Sequence, residues 1–339
     1  MLDWLMSYLT DRSLMVRIRN HLSRPFGASS GCPQGSHLGP WLFLIFINEI
    51  KEIFNGKIRF LLYADDLKMF LEVSDRNDSE LLQENLDRFS EWCLDNRLSL
   101  NLSKCHVVSY ARGDPVRYDY SIYGQRLERG GQVKDLGVIF DSQLTFNDHI
   151  DHVCNRAMKV LGFVKRSTVG FHDVDALTLL YTSLVRSGLE YCSVVWSPFY
   201  TCSKSRIERV QNNFLRFLSY RTGVATRELG YGSLREASGL MALEARRQWF
   251  DTIFVAKLFT GAIDSPPLLS IFSLRVPGRD LRSQLIFSVP FTPTNYLLNS
   301  PIVRMQRNFN HLSDTIKDLD LFFTSFVNIK SSSRKLLCM

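Results

Sequence analysis

The sequence has no apolar run long enough to cross a bilayer. Its densest apolar stretches run only from Trp41 to Ile47 and from Phe60 to Leu62, whereas a spanning helix needs roughly 18–20 residues. Met1 is followed by Asp3 and Trp4, so the basic start and apolar core of a secretory signal are missing. The 7 cysteines are odd in number and scattered, with no C-x-x-C pair, and His149 and His152 have no cysteine pair nearby. That argues against a disulfide framework and a zinc site, and for free thiols in a reducing compartment. Internal repeats and low-complexity tracts are also missing. The expectation is an intracellular, soluble protein with no membrane partner.

What is present is globular: 339 residues, 45% hydrophobic and 22% charged. This length suits two domains or one large composite unit. Acid is short only in the second half. Residues 1–150 hold 17 Lys+Arg against 20 Asp+Glu, and residues 151–339 hold 24 against 14. A basic half beside a slightly acidic one fits either a polyanion partner or a plain solvated basic surface.

Periodicity predicts a helix through Trp4, Leu5, Tyr8 and Leu9, then a strand from Met15 to Arg19. Residues 31–40, with three glycines and two prolines, predict a loop. A buried helix is expected over Leu42–Phe54. Two apolar runs, Ile58–Tyr63 and Leu67–Val73, flank Ala64-Asp65-Asp66 and read as a hairpin. Asp78–Leu94 is amphipathic, with Leu81, Leu82, Leu86, Phe89 and Trp92 on one side. Strands are expected over Asn101–Tyr110 and Val133–Phe140. After about residue 147 the pattern turns helical, most clearly over Asp151–Lys165, Asp173–Ser187, Ser203–Leu218 and Met241–Phe259. Residues 264–303 are proline-rich and irregular, and Asn308–Phe326 reads as a last helix.

The sharpest chemical feature is Tyr63-Ala64-Asp65-Asp66. A hairpin tip projects two carboxylates into one small volume, where they repel unless a cation joins them. Carboxylate oxygens are hard ligands suited to Mg²⁺, and two-metal sites use them to activate a nucleophile and stabilise a leaving group. Taken alone, the pair is equally an ordinary turn sequence, since Asp forms turns readily. In Ser203–Leu218, Ile207, Val210, Phe214 and Phe217 form one stripe, and Arg206, Arg209, Asn213 and Arg216 another. The first faces a core; the second is free for phosphates or for water.

The order of four segments carries more than any one of them. Gly31-Cys32-Pro33-Gln34-Gly35-Ser36-His37-Leu38-Gly39-Pro40 comes first, and its apolar helix runs to Ile47-Asn48-Glu49-Ile50. Tyr63-Ala64-Asp65-Asp66 is next. Trp92, Asn96, Leu98, Leu100-Asn101 and Lys104 form the third segment. The fourth is Leu136-Gly137-Val138-Ile139-Phe140-Asp141, continuing through Leu144, Phe146, His149 and Ile150. Together they resemble the palm of LINE-type (non-LTR) retrotransposon reverse transcriptases, most of all the insect Jockey branch. Ser187-Gly188-Leu189-Glu190-Tyr191, Trp196-Ser197-Pro198 and Arg209-Val210-Gln211-Asn212 resemble the thumb of that branch and the region beyond the thumb.

The resemblance implies an α+β fold. A partial right-hand palm, an antiparallel sheet with flanking helices, would occupy residues 1–150. A helical, basic, thumb-like region would follow over 151–260, and a C-terminal region, proline-rich then helical, over 261–339. It implies an RNA-directed DNA polymerase that uses Mg²⁺ (or Mn²⁺), an RNA template, a DNA primer and deoxynucleoside triphosphates, and that reaches the nucleus for retrotransposition. Asp65 and Asp66 would be catalytic and metal-binding. Tyr63 would sit near the incoming nucleotide, Gln34 and Gly35 beside template and nucleotide, and Gly137 in the primer-grip hairpin. Lys104 matches a lysine that protonates pyrophosphate, or is a solvated lysine at a strand end. Trp92 reads as core packing. Arg206, Arg209 and Arg216 would meet nucleic acid.

The family also needs a third aspartate on a strand upstream of the Gly31 loop. Asp3 has no strand before it and Asp11 sits in a polar turn, so the expectation is an incomplete copy lacking the first catalytic aspartate. Two other readings stay open: a non-catalytic nucleic-acid-binding remnant, or the product of a decayed gene that folds poorly.

Overall fold

Local sequence sets most of the elements, and helix packing decides where they stop. The computed structural model describes residues 1–28, 31–111, 113–223, 226–276, 285–315, 321, 324 and 326–338. The chain divides into two units, Met1–Val133 and Lys134–Met339.

In the first unit, α1 (Leu2–Leu9) leads into β1 (Arg12–Leu14), β2 (Arg17–Ile18), β3 (His21–Leu22) and β4 (Phe26–Ala28). The β2·β3 ladder nests inside the β1·β4 ladder, both antiparallel. The strand expected to run on to Arg19 ends earlier because Arg19, at φ +54°, turns the chain back. α2 (Gly39–Ile47) passes into a 3₁₀ turn, Asn48–Glu52, where the unbroken apolar run ends. The single helix expected over Leu42–Phe54 is therefore two elements. β5 (Arg59–Tyr63) and β6 (Asp66–Phe70) form the expected hairpin. α3 (Arg76–Asp95) starts at a capping box, in which the Asp75 carboxylate accepts from the Asp78 N–H at 3.0 Å.

α3 serves two apolar clusters. Phe89, Trp92 and Cys93 pack with Phe43, Ile47 and Ile50 and with Leu62 and Leu67 of the hairpin. Leu82 and Leu86 pack with Tyr120, Ile122 and Leu127. The strand expected over Asn101–Tyr110 shrinks to β7 (His106–Val107), since Asn101–Cys105 winds into a 3₁₀ turn, with the Lys104 N–H donating to the Asn101 carbonyl at 3.0 Å. β8 (Ser121–Ile122) and β9 (Gln125–Arg126) pair with each other, and β10 (Glu128–Arg129) pairs parallel with β7. Gln83 of α3 clamps β8 through both backbone groups of Ser121, at 2.9 Å each. Among the described residues the strands make only two-stranded ladders, not the expected antiparallel palm sheet. The strands are short, and their buried side chains pack on helices, so no ladder needs a further strand to cover its inner face.

β11 (Gln132–Asp135) runs across the division and pairs with β12 (Val138–Asp141), after which the second unit is mostly helical. α4 (Asn147–Ser167) is followed by α5 (Val174–Leu180), a π turn at Tyr181–Arg186, α6 (Ser187–Glu190) and α7 (Ser193–Trp196). α8 (Thr201–Thr222), α9 (Thr226–Ala237) and α10 (Leu243–Phe259) come next. The proline-rich stretch holds two short helices, α11 (Pro266–Leu269) and α12 (Asn295–Leu298), and an isolated bridge between Leu274 and Phe287. α13 (Pro301–Thr315) starts earlier than the expected last helix, because a proline fits a helix's first turn. Part of that expected span lies outside the described residues, and α14 (Phe326–Cys338) completes the order.

One cluster joins α4, the α5–π-turn segment and α8 through Leu161, Leu177, Tyr181, Trp196, Ile207 and Phe214. A second joins α10, α13 and α14 through Val255, Phe309, Leu312 and Ile329. The division between units falls between Val133 and Lys134, ahead of the boundary at 150 read from sequence, because Val138 and Phe140 of β12 pack into the first of these clusters. α10 packs on α13 and α14 and also touches α8.

Phe214 is fully buried, and its ring stacks on Tyr181 with centroids 4.1 Å apart. Phe214→Ala is expected to lower stability by about 3–5 kcal/mol, read as a drop in the urea midpoint of unfolding with the slope unchanged.

Candidate active site

Gly31–Pro40 forms a loop that ends in the first residues of α2. Within it Pro33–Ser36 is a turn: the Ser36 N–H donates to the Pro33 carbonyl at 3.3 Å, and Gly35 takes φ +78°. A positive φ at the third residue of a turn is what glycine provides. Gln34 and Gly35 are exposed on this turn. The Ser36 hydroxyl then accepts from the Gly39 N–H at 3.0 Å. A Cβ on Gly39 would lie 3.1 Å from both that hydroxyl and the Pro33 carbonyl, so the close approach requires glycine.

The hairpin β5·β6 closes on a two-residue connection. Tyr63 and Asp66 are cross-strand partners, with Ala64 and Asp65 between them. Ala64 sits at φ +52°, a conformation that costs a non-glycine residue roughly 1–2 kcal/mol. Tyr63, Ala64, Asp65 and Asp66 are all exposed, Tyr63 to 64%. The hairpin is held from below, where Leu62 and Leu67 pack on α2 and α3.

Lys104 is exposed at the end of the Leu102–Lys104 turn. No group of three or more His, Cys, Asp or Glu placed to hold a metal occurs among the described residues. Two adjacent carboxylates offer hard oxygen donors for a divalent cation, but the three-carboxylate set of the resemblance is not assembled there. The donor set does not fit a complete two-metal centre. Trp92 packs against Phe46, with ring centroids 5.7 Å apart, in line with the core role expected for it. Cys32 is a free, half-buried thiol.

Gly137 lies in the second unit, in the turn between β11 and β12. Leu136 at φ +42° and Gly137 at φ +88° form a two-residue connection with both residues left-handed, the type I′ pattern that suits strand twist. Tyr191 covers it: its hydroxyl donates to the Leu136 carbonyl at 3.0 Å, and its ring would lie 3.2 Å from a Cβ at position 137. Sequence reasoning did not foresee this contact, because no local pattern links residues 55 positions apart. Nor did it foresee that Asp141 organises the entry to α4. The Asp141 carboxylate accepts from the backbone of Gln143, Thr145 and Phe146 and from the Thr145 hydroxyl, at 2.7–3.1 Å. Burial alone would raise its pKa, but these bonds together hold it below the usual carboxylate value.

α8 presents its apolar stripe inward, with Ile207, Val210 and Phe214 buried and Phe217 half-buried. Arg206, Arg209 and Arg216 are exposed. Arg206 is ion-paired with Asp151 of α4, and Arg216 donates to the Asn213 side chain. Of the three, Arg209 is therefore the least committed within the fold.

His149, on α4, is buried. Its Nδ1 accepts from the Ile139 N–H at 3.3 Å, and its ring meets Trp196 edge-on. Burial, with His152 and Lys134 nearby, pushes its pKa down to about 4. The unfolded chain, at the ordinary 6.5, therefore binds a proton first. Stability is full above pH 6.5 and falls as pH drops towards 4, by up to about 3 kcal/mol. Urea unfolding between pH 7 and pH 4.5 should show that fall, and His149→Gln should flatten it.

Residues 1–164 match the family described as reverse transcriptase (RNA-dependent DNA polymerase). The chain is 29% identical over 231 residues to the probable RNA-directed DNA polymerase from transposon BS of Drosophila melanogaster, covering 63% of this chain and 25% of that protein. It is 29% identical over 202 residues to the RNA-directed DNA polymerase from mobile element jockey of Drosophila funebris, covering 56% and 22%. With the probable polymerase from transposon X-element of Drosophila melanogaster it shares 25% identity over 224 residues, covering 63% and 24%. The chain thus spans about a quarter of the length of these curated relatives. No solved structure matches it. Over residues 1–164 the chain is thus similar to the reverse transcriptase (RNA-dependent DNA polymerase) family, and it resembles the polymerases of jockey-like non-LTR elements.

Proposed function

We propose that the chain works as part of an RNA-directed DNA polymerase of a jockey-like non-LTR element, which adds deoxynucleotides to a DNA primer on an RNA template. A polymerase that copies into chromosomal DNA must act in the nucleus. The observation that carries the reading is the exposed Asp65–Asp66 pair at the tip of a hairpin packed on α2 and α3, with the Pro33–Ser36 turn feeding α2. In this reading Asp65 and Asp66 hold a divalent cation, Mg²⁺ or Mn²⁺, which would supply charge stabilisation for nucleotidyl transfer. Asp65 and Asp66 give two carboxylate donors for it.

The remaining roles rest on what each side chain can do. The Pro33–Ser36 turn lets backbone approach template and nucleotide at Gln34 and Gly35. Tyr63, cross-strand from Asp66, offers its ring to the nucleotide at the primer end. Gly137 keeps the β11–β12 turn tight for the primer. Lys104 delivers a proton to pyrophosphate if it reaches the hairpin tip, and is otherwise a solvated lysine.

The test replaces the matching segment of the Drosophila funebris jockey polymerase with residues 31–150 of this chain. The chimera is expected to extend a primer on RNA, and Asp65→Asn within it to lower the rate by about 100-fold or more. A chimera that folds cooperatively yet extends nothing would sink the reading.

A second reading, nucleic-acid binding without synthesis, draws on exposed Arg209 and Arg216 of α8. Each phosphate contact contributes roughly 0.9 to the slope of log affinity against log salt on duplex DNA. Arg209→Ala with Arg216→Ala should reduce that slope by about 2 if both meet phosphates. An unchanged slope would leave the stripe as solvated surface.

A further inference from the structure

The second unit contains an open cleft of about 180 Å³, between the loop after α7, the first turn of α8, one face of α10, and α12–α13. Charged groups dominate its lining: Lys204, Glu244, Arg247, Asp251, Arg304 and Arg307. Four cations therefore face two carboxylates. Both carboxylates are already engaged. Asp251, 1% exposed, accepts from Arg304 at 3.0 and 3.3 Å and from Asn308 at 2.9 Å. Glu244 accepts from Lys204 at 2.6 Å.

The surplus falls on Arg247 and Arg307. Arg247 is only 3% exposed, and its Nε has no hydrogen-bond partner among the described residues. The other acids close enough to act on it, Glu208 and Glu190, are committed elsewhere. Glu208 accepts from Arg235 and the Leu243 N–H, and Glu190 is paired with Arg246 and Arg186. Arg307 is exposed beside it on α13, with no ion pair among the described residues. A buried guanidinium with an N–H left unmet is costly. An anion entering the cleft would complete it, and the planar fork of arginine matches a phosphate edge by edge.

We propose that this cleft is a phosphate-binding site, formed by Arg247 with Arg307, that holds a phosphate group of a nucleic-acid strand. Phosphate recognition comes from the cleft itself; the strand as its source rests on the polymerase reading. The site belongs to a different unit from the hairpin carboxylates, and Arg206, Arg209 and Arg216 of the α8 stripe do not line it. It gives the basic half one fixed anchor point where the stripe gives only diffuse attraction.

The experiment uses the full chain and a fluorescent 12-nucleotide RNA (a length chosen to span roughly one short binding site), with inorganic phosphate as competitor. Arg307→Gln, at an exposed position that leaves the core intact, and Arg247→Met, which keeps the buried volume, are compared with the parent. Each is expected to weaken RNA binding by about tenfold. Phosphate should displace RNA from the parent and have little effect on Arg307→Gln. Arg209→Ala with Arg216→Ala should leave the phosphate competition in place. The proposal is overturned if Arg307→Gln binds RNA as the parent does. It is also overturned if phosphate raises the parent's melting temperature but never competes with RNA, which would make free phosphate the ligand. Failure of primer extension in the jockey chimera would not bear on either outcome, so the two readings fail separately.

Discussion

The second unit depends on a row of buried and half-buried carboxylates, each fastened to an arginine from a distant part of the chain. Glu190 of α6 meets Arg246 of α10, and Asp251 of α10 meets Arg304 of α13, which also donates to the Val194 carbonyl of α7 at 2.6 Å. Glu208 of α8 takes Arg235 of α9 and the Leu243 N–H at the start of α10. Such pairs add little net stability over apolar contacts of the same size, but breaking one leaves a buried charge and costs roughly 3–5 kcal/mol. They therefore act as registers. An α10 rotated about its axis would separate Glu190 from Arg246 and Asp251 from Arg304. Within this arrangement Arg247, buried on α10, makes no ion pair among the described residues, and its Nε meets no acceptor there.

The first unit solves a different problem with apolar contacts. A two-stranded hairpin is marginal by itself, and β5·β6 carries adjacent carboxylates and a strained alanine at its tip. Leu62 and Leu67, packed between α2 and α3, stabilise it from one face only. Leu61, Tyr63 and Phe70 stay exposed on the hairpin. The exposed pair Tyr63 and Asp66 and the packed pair Leu62 and Leu67 beside it are thus separated by the alternation of a strand, which sends successive side chains to opposite faces.

Legibility in the sequence tracked how local each cause was. α3 could be read from its apolar spacing, the hairpin from two apolar runs around Ala64-Asp65-Asp66, and α8 from its two stripes. All three depend on residues within a few positions of one another. The split of Val133–Phe140 into two strands hinged on Leu136 and Gly137, where a left-handed pair is stabilised by Tyr191 from far along the chain. The break after Ile47 and the collapse of Asn101–Cys105 into a turn were set by competition between backbone bonding patterns that periodicity does not weigh.

The sequence by itself determined the resemblance to reverse transcriptases, the order of the segments that carry it, the helical and basic character of the second half, and the position of Asp65 and Asp66 in a tight turn. These rest on spacing and residue chemistry, which the chain carries before it folds. Tertiary structure alone decided which charges are used up and which remain. Arg206, read as a phosphate contact, is paired with Asp151, whereas Arg247, one charged residue among several in a predicted helix, is buried beside a cleft with its Nε unmet. The reason is physical. Whether a charge is satisfied depends on partners tens of residues away, and only packing brings those within reach.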